Sequence, residues 1–379
     1  MRVGIYTLPL NFNYGGLLQA YALQQTLKQL GHESVVIDRP LYEGPFGVIC
    51  IIRFFKRVVK KFLFLKDIHI FHERYLRETF PVVSKWTSTF VDNYIKKITV
   101  KNTSLLRESE FDALIVGSDQ IWRYKFHNTS QKVYDSFLYF AKEWNIPKIA
   151  YAASFGVDVS EYPPDIALKC SGLLKKFKAI SVREKSGVAL CEKIFSVNAQ
   201  WVLDPTMLLD VNMYIELAGR GVKDFNCPEH NLVCYILDEN PQKNRIVSAL
   251  SEKIKRSVYR INSRAEDEFA PLTERIQPPV ESWLYNIKNA DYVVTDSFHA
   301  CIFSILFKKD FLVIMNSKRG IGRILSLLKL FDLEDRLIFA SDEDFVLPAS
   351  SVENAAKCIH PLREKSISFL EKALEKTCD

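Results

Sequence analysis

The stretch T-D-S-F-H-A, Thr295–Ala300, carries the residue types best suited to chemistry in this chain. The apolar run A-D-Y-V-V precedes it and C-I-F-S-I-L-F follows at helical spacing, so His299 is expected in the first turn of a helix that starts directly after a strand. A histidine there can pass a proton near neutral pH or bond an anion; the plainer alternative is a helix cap on Asp296 or Ser297 with His299 merely packed. Arg183 closes another apolar run, A-I-S-V. Arginine is the planar, bidentate partner of carboxylate and phosphate, although a nearby acid such as Glu184 would engage it as readily. In S-K-R-G-I-G-R, Lys318, Arg319 and Arg323 stand beside two glycines, a loop that either holds an anion or faces solvent. In N-Y-G-G-L-L-Q, Gly15 and Gly16 follow Asn13 at a strand-to-helix joint. Such a pair lets the backbone approach a ligand and leaves N–H groups at a helix N-terminus, or it simply makes a tight turn.

All of these residues fall where a strand ends. The opening reads strand, loop, helix, strand, with Gly31 closing the helix and S-V-V-I-D (Ser34–Asp38) as the second strand, a βαβ start that implies a parallel sheet. F-D-A-L-I-V runs into Gly117, Ser118, Asp119 and Gln120; K-I-A-Y-A-A runs into Ser154; and V-L-D-P brings Asp204 before a breaker. A polar, turn-rich segment at 210–228 then separates a second set of strands and helices, from L-V-C-Y-I-L-D onward. The expectation is α/β: two Rossmann-like domains, 1–215 and 228–348, facing a cleft, with 349–379 a helix that crosses back to the first. In such sheets ligands sit off the carboxyl ends of the strands. Gly15, Gly16, Gly117, Ser118, Asp119, Gln120, Ser154, Arg183 and Asp204 are therefore expected around one crevice.

Composition narrows the function. With 379 residues, 48 % of them apolar and 25 % charged, the chain reads as a globular protein of two domains. A net charge of +6 is well short of a nucleic-acid-binding composition, and no nucleic-acid partner is expected. The eight cysteines show no C-x-x-C pair and several lie in apolar runs, as reduced buried thiols of a cytoplasmic protein do. No signal peptide or transmembrane helix is expected, and metal-ligand spacing, a P-loop and a nucleophile elbow are not found in the sequence.

One segment stands apart. In Ile51–Lys66, apolar residues at 51, 54, 55, 58, 62 and 65 share one helical face, and Arg53, Lys56, Arg57, Lys60 and Lys61 share the other. A basic amphipathic helix of this kind lies on an anionic membrane surface or covers the protein body with a solvated basic side.

Taken in order, N-Y-G-G-L-L-Q-A-Y-A-L, V-G-S-D-Q-I-W, A-Y-A-A-S-F-G, S-V-R-E-K-S-G, D-P-T-M-L-L and V-V-T-D-S-F-H-A-C-I-F-S-I-L-F resemble the polysaccharide pyruvyltransferase family over about residues 1–340. The resemblance implies a fold similar to GT-B glycosyltransferases and a phosphoenolpyruvate donor. It implies transfer of the enolpyruvyl unit, as a ketal, to a sugar or lipid-linked glycan acceptor, with neither metal nor cofactor. It makes His299 the general acid and assigns donor anions to Arg183 and the Lys318–Arg323 loop. It sets Asn13, Gly15 and Gly16 on the acceptor side and the protein in the cytoplasm at the inner membrane face. Ser297 departs from the pattern, since many members carry Arg there; Arg319 or Arg323 must then supply the charge, or the donor differs. A nucleotide-sugar glycosyltransferase and a non-catalytic glycan-binding homologue are the competing readings.

Overall fold

The computed structural model describes residues 1–39, 48–63, 68–127, 129–229, 231–316, 320–342 and 344–375. The first sheet contains β1 (Arg2–Tyr6), β2 (Glu33–Asp38), β3 (Lys97–Thr99), β4 (Ala113–Val116), β5 (Lys148–Ala153), β6 (Ala179–Val182) and β7 (Gln200–Trp201). Its order is β3-β2-β1-β4-β5-β6-β7. The second contains β8 (Asn231–Tyr235), β9 (Ser257–Arg260), β10 (Tyr292–Thr295), β11 (Phe311–Ile314) and β12 (Leu337–Ile338), in the order β12-β11-β10-β8-β9. Every pairing in both sheets is parallel. Central strands such as β4 (ALIV) and β11 (FLVI) are apolar at every position because helices cover both faces of a parallel sheet. These are two Rossmann-like domains, as expected.

Two switch points matter for function. Strand order reverses between β1 and β4 in the first sheet and between β8 and β10 in the second. The helices that leave β1 and β10, Tyr14–Gln29 and Phe298–Leu306, start beside these points. They share one apolar core: Tyr14 packs on Trp283 (ring centroids 5.3 Å apart) and on Tyr235 (6.1 Å), Trp283 packs on Phe303 of the second helix (5.4 Å), and the Tyr14 hydroxyl donates to the Pro278 carbonyl at 2.8 Å. Burying large aromatic rings contributes about 1.5–3 kcal/mol each, so the base of the cleft is a packed joint between the domains.

The first domain bends locally to serve the cleft. β5 carries a register shift between Ala150 and Ala153, with Ala152 at φ 51°, and the Ser181 hydroxyl repairs the ladder there by accepting from Ala152 N–H and donating to Ala150 C=O. The tail, read from sequence as one helix, is two: Val352–Lys357 and Ile359–Leu374. Pro361 cannot supply an i→i−4 bond, so the chain starts a new helix just before it. The second of these helices lies against the first domain, where Ser366 accepts from Leu203 N–H at 3.0 Å and Arg363 donates to the Met207 carbonyl at 2.9 Å. The basic segment forms a helix over Val48–Leu63. Among the described residues no helix is long and apolar enough to cross a membrane.

Candidate active site

A cleft of about 720 Å³ opens between the two sheets at the carboxyl ends of their strands. From the first domain, Phe12 and Asn13 follow β1, and Asp119 and Gln120 follow β4; from the second, Tyr235 ends β8 and Ile236–Glu239 follow it, Asp296–His299 follow β10, and Asn316 follows β11. Arg323, in the first turn of the helix Gly322–Leu330, completes the inner end.

His299 is in the first turn of its helix, as its spacing predicted, and Ser297 is the N-cap, accepting from Ala300 N–H at 3.5 Å. The imidazole crosses to the first domain and lies on Gly15. A Cβ at position 15 would stand 2.0 Å from its Nδ1. The Nε2 edge is enclosed and makes no hydrogen bond; it faces the Asp204 carboxylate, with Oδ2 at 3.7 Å, an ion-pair distance.

Asp204 is buried and heavily engaged. Its Oδ2 accepts from Arg183 Nη1 at 2.6 Å and from the Ser118 hydroxyl at 3.1 Å, and its Oδ1 accepts from both N–H and hydroxyl of Thr206. Burial acts to raise its pKa, but His299, the Arg183 charge and Thr206 outweigh that and hold the carboxyl well below the usual range. Asp204 therefore presents a fixed negative charge to the imidazole.

The arrangement corrects several expectations. Arg183 does not reach the cleft: its side chain is 0 % exposed and its donors turn to Asp204, Ser118 and, at 3.4 Å, Asp119. Burial acts to lower its pKa, and Asp204, Asp119 and Glu184 reverse this, so it is a cation beneath the floor. Ser118 is buried within the same network, and Ser154 lies behind the site, accepting from Gly156 N–H at 3.1 Å. Gly15 is covered by His299 rather than open to a ligand. The N–H groups of Gly15 and Gly16 both point to Asn13 Oδ1, at 3.1 and 3.4 Å, so the helix N-terminus is already capped. Asn13, Asp119, Gln120, Ser297, His299 and Arg323 do line the cleft. Lys318 and Arg319 lie outside the described residues.

Arg323 is a buried cation at the cleft. It lies at the inner end, and desolvation followed by the nearby Arg183 charge lowers its pKa to about 10, so it remains charged at neutral pH. Both guanidinium groups lie against the Phe298 ring, with Arg183 Cζ at 4.7 Å and Arg323 Cζ at 5.5 Å from its centroid. Asp119, at φ 65°, holds a left-handed conformation that a non-glycine residue adopts only when its surroundings enforce it.

A family model described as polysaccharide pyruvyl transferase matches residues 13–318, most of the chain and most of the cleft lining, Arg323 excepted. The chain belongs to this family. A comparison with curated proteins finds no match. Among solved structures it is similar to the spinosyn rhamnosyltransferase SpnG complexed with thymidine diphosphate, at 11 % identity and TM-score 0.46, covering 98 % of this chain and 99 % of that one. It is also similar to UDP-GlcNAc 2-epimerases from Methanocaldococcus jannaschii (11 %, TM-score 0.45, 96 % and 100 % covered) and from Neisseria meningitidis (12 %, TM-score 0.44, 96 % and 100 %).

Within this member of the family, three features escaped the sequence. Phe298 packs against both Arg183 and Arg323, a contact visible only once the two arginines are brought together. The polar run after β9, Asn262–Asp267, reads as a connector but forms a cleft wall with Arg260 and Glu239; its charge density just past a strand's carboxyl end was the available signal. Gly320 and Gly322 bring the second domain against the first: a Cβ at either would stand 1.8 Å from the Gly156 carbonyl oxygen or from Asp158 Oδ1 respectively.

Proposed function

We propose that this protein transfers the enolpyruvyl unit of phosphoenolpyruvate to a sugar of a cell-surface polysaccharide or its lipid-linked precursor, forming a pyruvate ketal at the cytoplasmic face of a membrane. The observation that carries the reading is the placement of His299, backed by a fixed carboxylate, in the same cleft as a buried arginine, in a chain of this family. Arg323 takes the place of the arginine that many members carry at position 297 and holds an anionic group of the donor. His299, its Nε2 facing the Asp204 carboxylate at 3.7 Å, delivers a proton to C3 of the enol, and C2 becomes an oxocarbenium-like centre. One sugar hydroxyl adds to C2 and its proton restores the acid; phosphate departs with the C2–O bond electrons as a second hydroxyl closes the ketal and gives its proton to the departing phosphate. Arg183 does not touch substrate in this account: it fixes Asp204 and Asp119 from below.

His299→Ala is expected to lower phosphate release from phosphoenolpyruvate, measured against a panel of glycan acceptors, by about 10²–10⁴-fold with donor binding retained. An unchanged rate would remove His299 from the chemistry. A nucleotide-sugar donor is the second reading, since Glu239 stands at the cleft where a ribose-binding acid would be needed; Arg260 already engages it at 2.7 Å.

A further inference from the structure

The helix Val48–Leu63 turns large apolar side chains outward. Ile51, Ile52, Phe55, Val59, Phe62 and Leu63 are each 44–74 % exposed. At 3.6 residues per turn they fall within roughly one third of the helix circumference. Exposed Lys56 and Lys60 border this sector, exposed Lys61 lies farther round, and the helix contains no acidic residue. Its other side is tied down: Phe54 packs on Phe71 with centroids 5.4 Å apart, and Arg57 forms a forked ion pair with Glu73.

We propose that this face docks on an anionic lipid bilayer. Six exposed apolar side chains on one short helix form a patch that ordinary protein surface does not carry, and its lysine border suits anionic headgroups while the apolar sector enters the acyl boundary. A second copy of the chain fits worse, because a symmetric contact would set the same lysines against each other with no acid on the helix to pair them.

The docking face is joined to the cleft by contacts. Glu73 belongs to the helix His72–Val83, whose first residue lies with Nδ1 at 3.2 Å from Glu268 Oε2. Tyr75 donates to the Glu268 carbonyl at 2.6 Å, and His69 stacks on Phe269 with centroids 4.9 Å apart. Glu268 and Phe269 directly follow Glu266 and Asp267 of the cleft wall. Docking would thus hold the cleft rim near the lipid surface, where an acceptor with a lipid tail resides; this last step rests on the pyruvyl-transfer reading, whereas docking itself does not.

The test is co-sedimentation of the full chain with phosphatidylcholine vesicles with and without phosphatidylglycerol, in the absence of donor and acceptor. Wild type is expected on the phosphatidylglycerol vesicles, with binding that weakens as salt rises. The double variant Lys56→Gln/Lys60→Gln should bind about thirty-fold less. Phe55→Ser/Phe62→Ser should lose binding while melting at the wild-type temperature. Wild type that stays in solution, or binding that both double variants retain, would overturn the proposal, as would a concentration-dependent dimer abolished by the Phe substitutions without vesicle binding. Because neither substrate is present, failure of donor binding elsewhere leaves this result standing, and the converse also holds.

Discussion

A methyl group at position 15 would sit 2.0 Å from an atom of the His299 ring, whereas one at position 16 would meet nothing closer than Asp119 Oδ2 at 3.5 Å. The two adjacent glycines therefore differ in purpose. Gly15→Ala should displace the imidazole and lower turnover by about 10²-fold or more, in the range of losing a general acid. Gly16→Ala should keep activity and melt at or slightly above wild type, because alanine gains up to ~1 kcal/mol over glycine inside a helix. Equal loss in both variants would contradict the seat assigned to His299. Asp204 gives a second prediction. Its folded-state pKa is depressed, so its contribution to stability is complete above the unfolded value of about 3.9 and fades as pH falls below it. Asp204→Asn breaks a buried ion pair, which costs about 3–5 kcal/mol. The melting gap between this variant and wild type should be wide at pH 7 and narrow toward pH 3, and a gap independent of pH would contradict the account. At this scale the sequence identified the histidine and its place in the first turn. It did not show that Gly15 is its seat or that Arg183 is spent on Asp204, since these contacts join residues distant along the chain.

The elements were more legible than the contacts. Apolar runs ending in small or polar residues located β1, β2, β4, β5, β6, β8, β10 and β11 and their carboxyl ends, because strands buried on both faces leave a continuous hydrophobic signature. The short edge strands β3, β7 and β12 have too few residues to leave one. The helices His72–Val83 and Lys85–Tyr94 were also not read from sequence. The loop-to-helix joint at Gly320–Arg323 decides where Arg323 stands: two close glycine contacts to the first domain set the start of the helix, and Arg323 is in its first turn. Arg323→Gln should therefore weaken phosphoenolpyruvate binding by about 10–100-fold, the worth of a charge-assisted hydrogen bond, while leaving the fold intact. Calorimetric titration checks this, and unchanged affinity would take Arg323 out of the donor site.

For the whole molecule, the two sheets act as one frame because the helices Tyr14–Gln29 and Phe298–Leu306 meet in a common core, fixing His299 of one domain on Gly15 of the other. The two-domain layout followed from the order of strand-ending motifs. The shared core did not, because it depends on which faces of separate domains meet. This frame makes the donor the central question, and direct binding answers it: phosphoenolpyruvate and a panel of nucleotide sugars titrated separately into the full chain by calorimetry. The account predicts saturable binding of phosphoenolpyruvate that Arg323→Gln weakens, with no binding of nucleotide sugars. Binding of a nucleotide sugar with silence from phosphoenolpyruvate would contradict it.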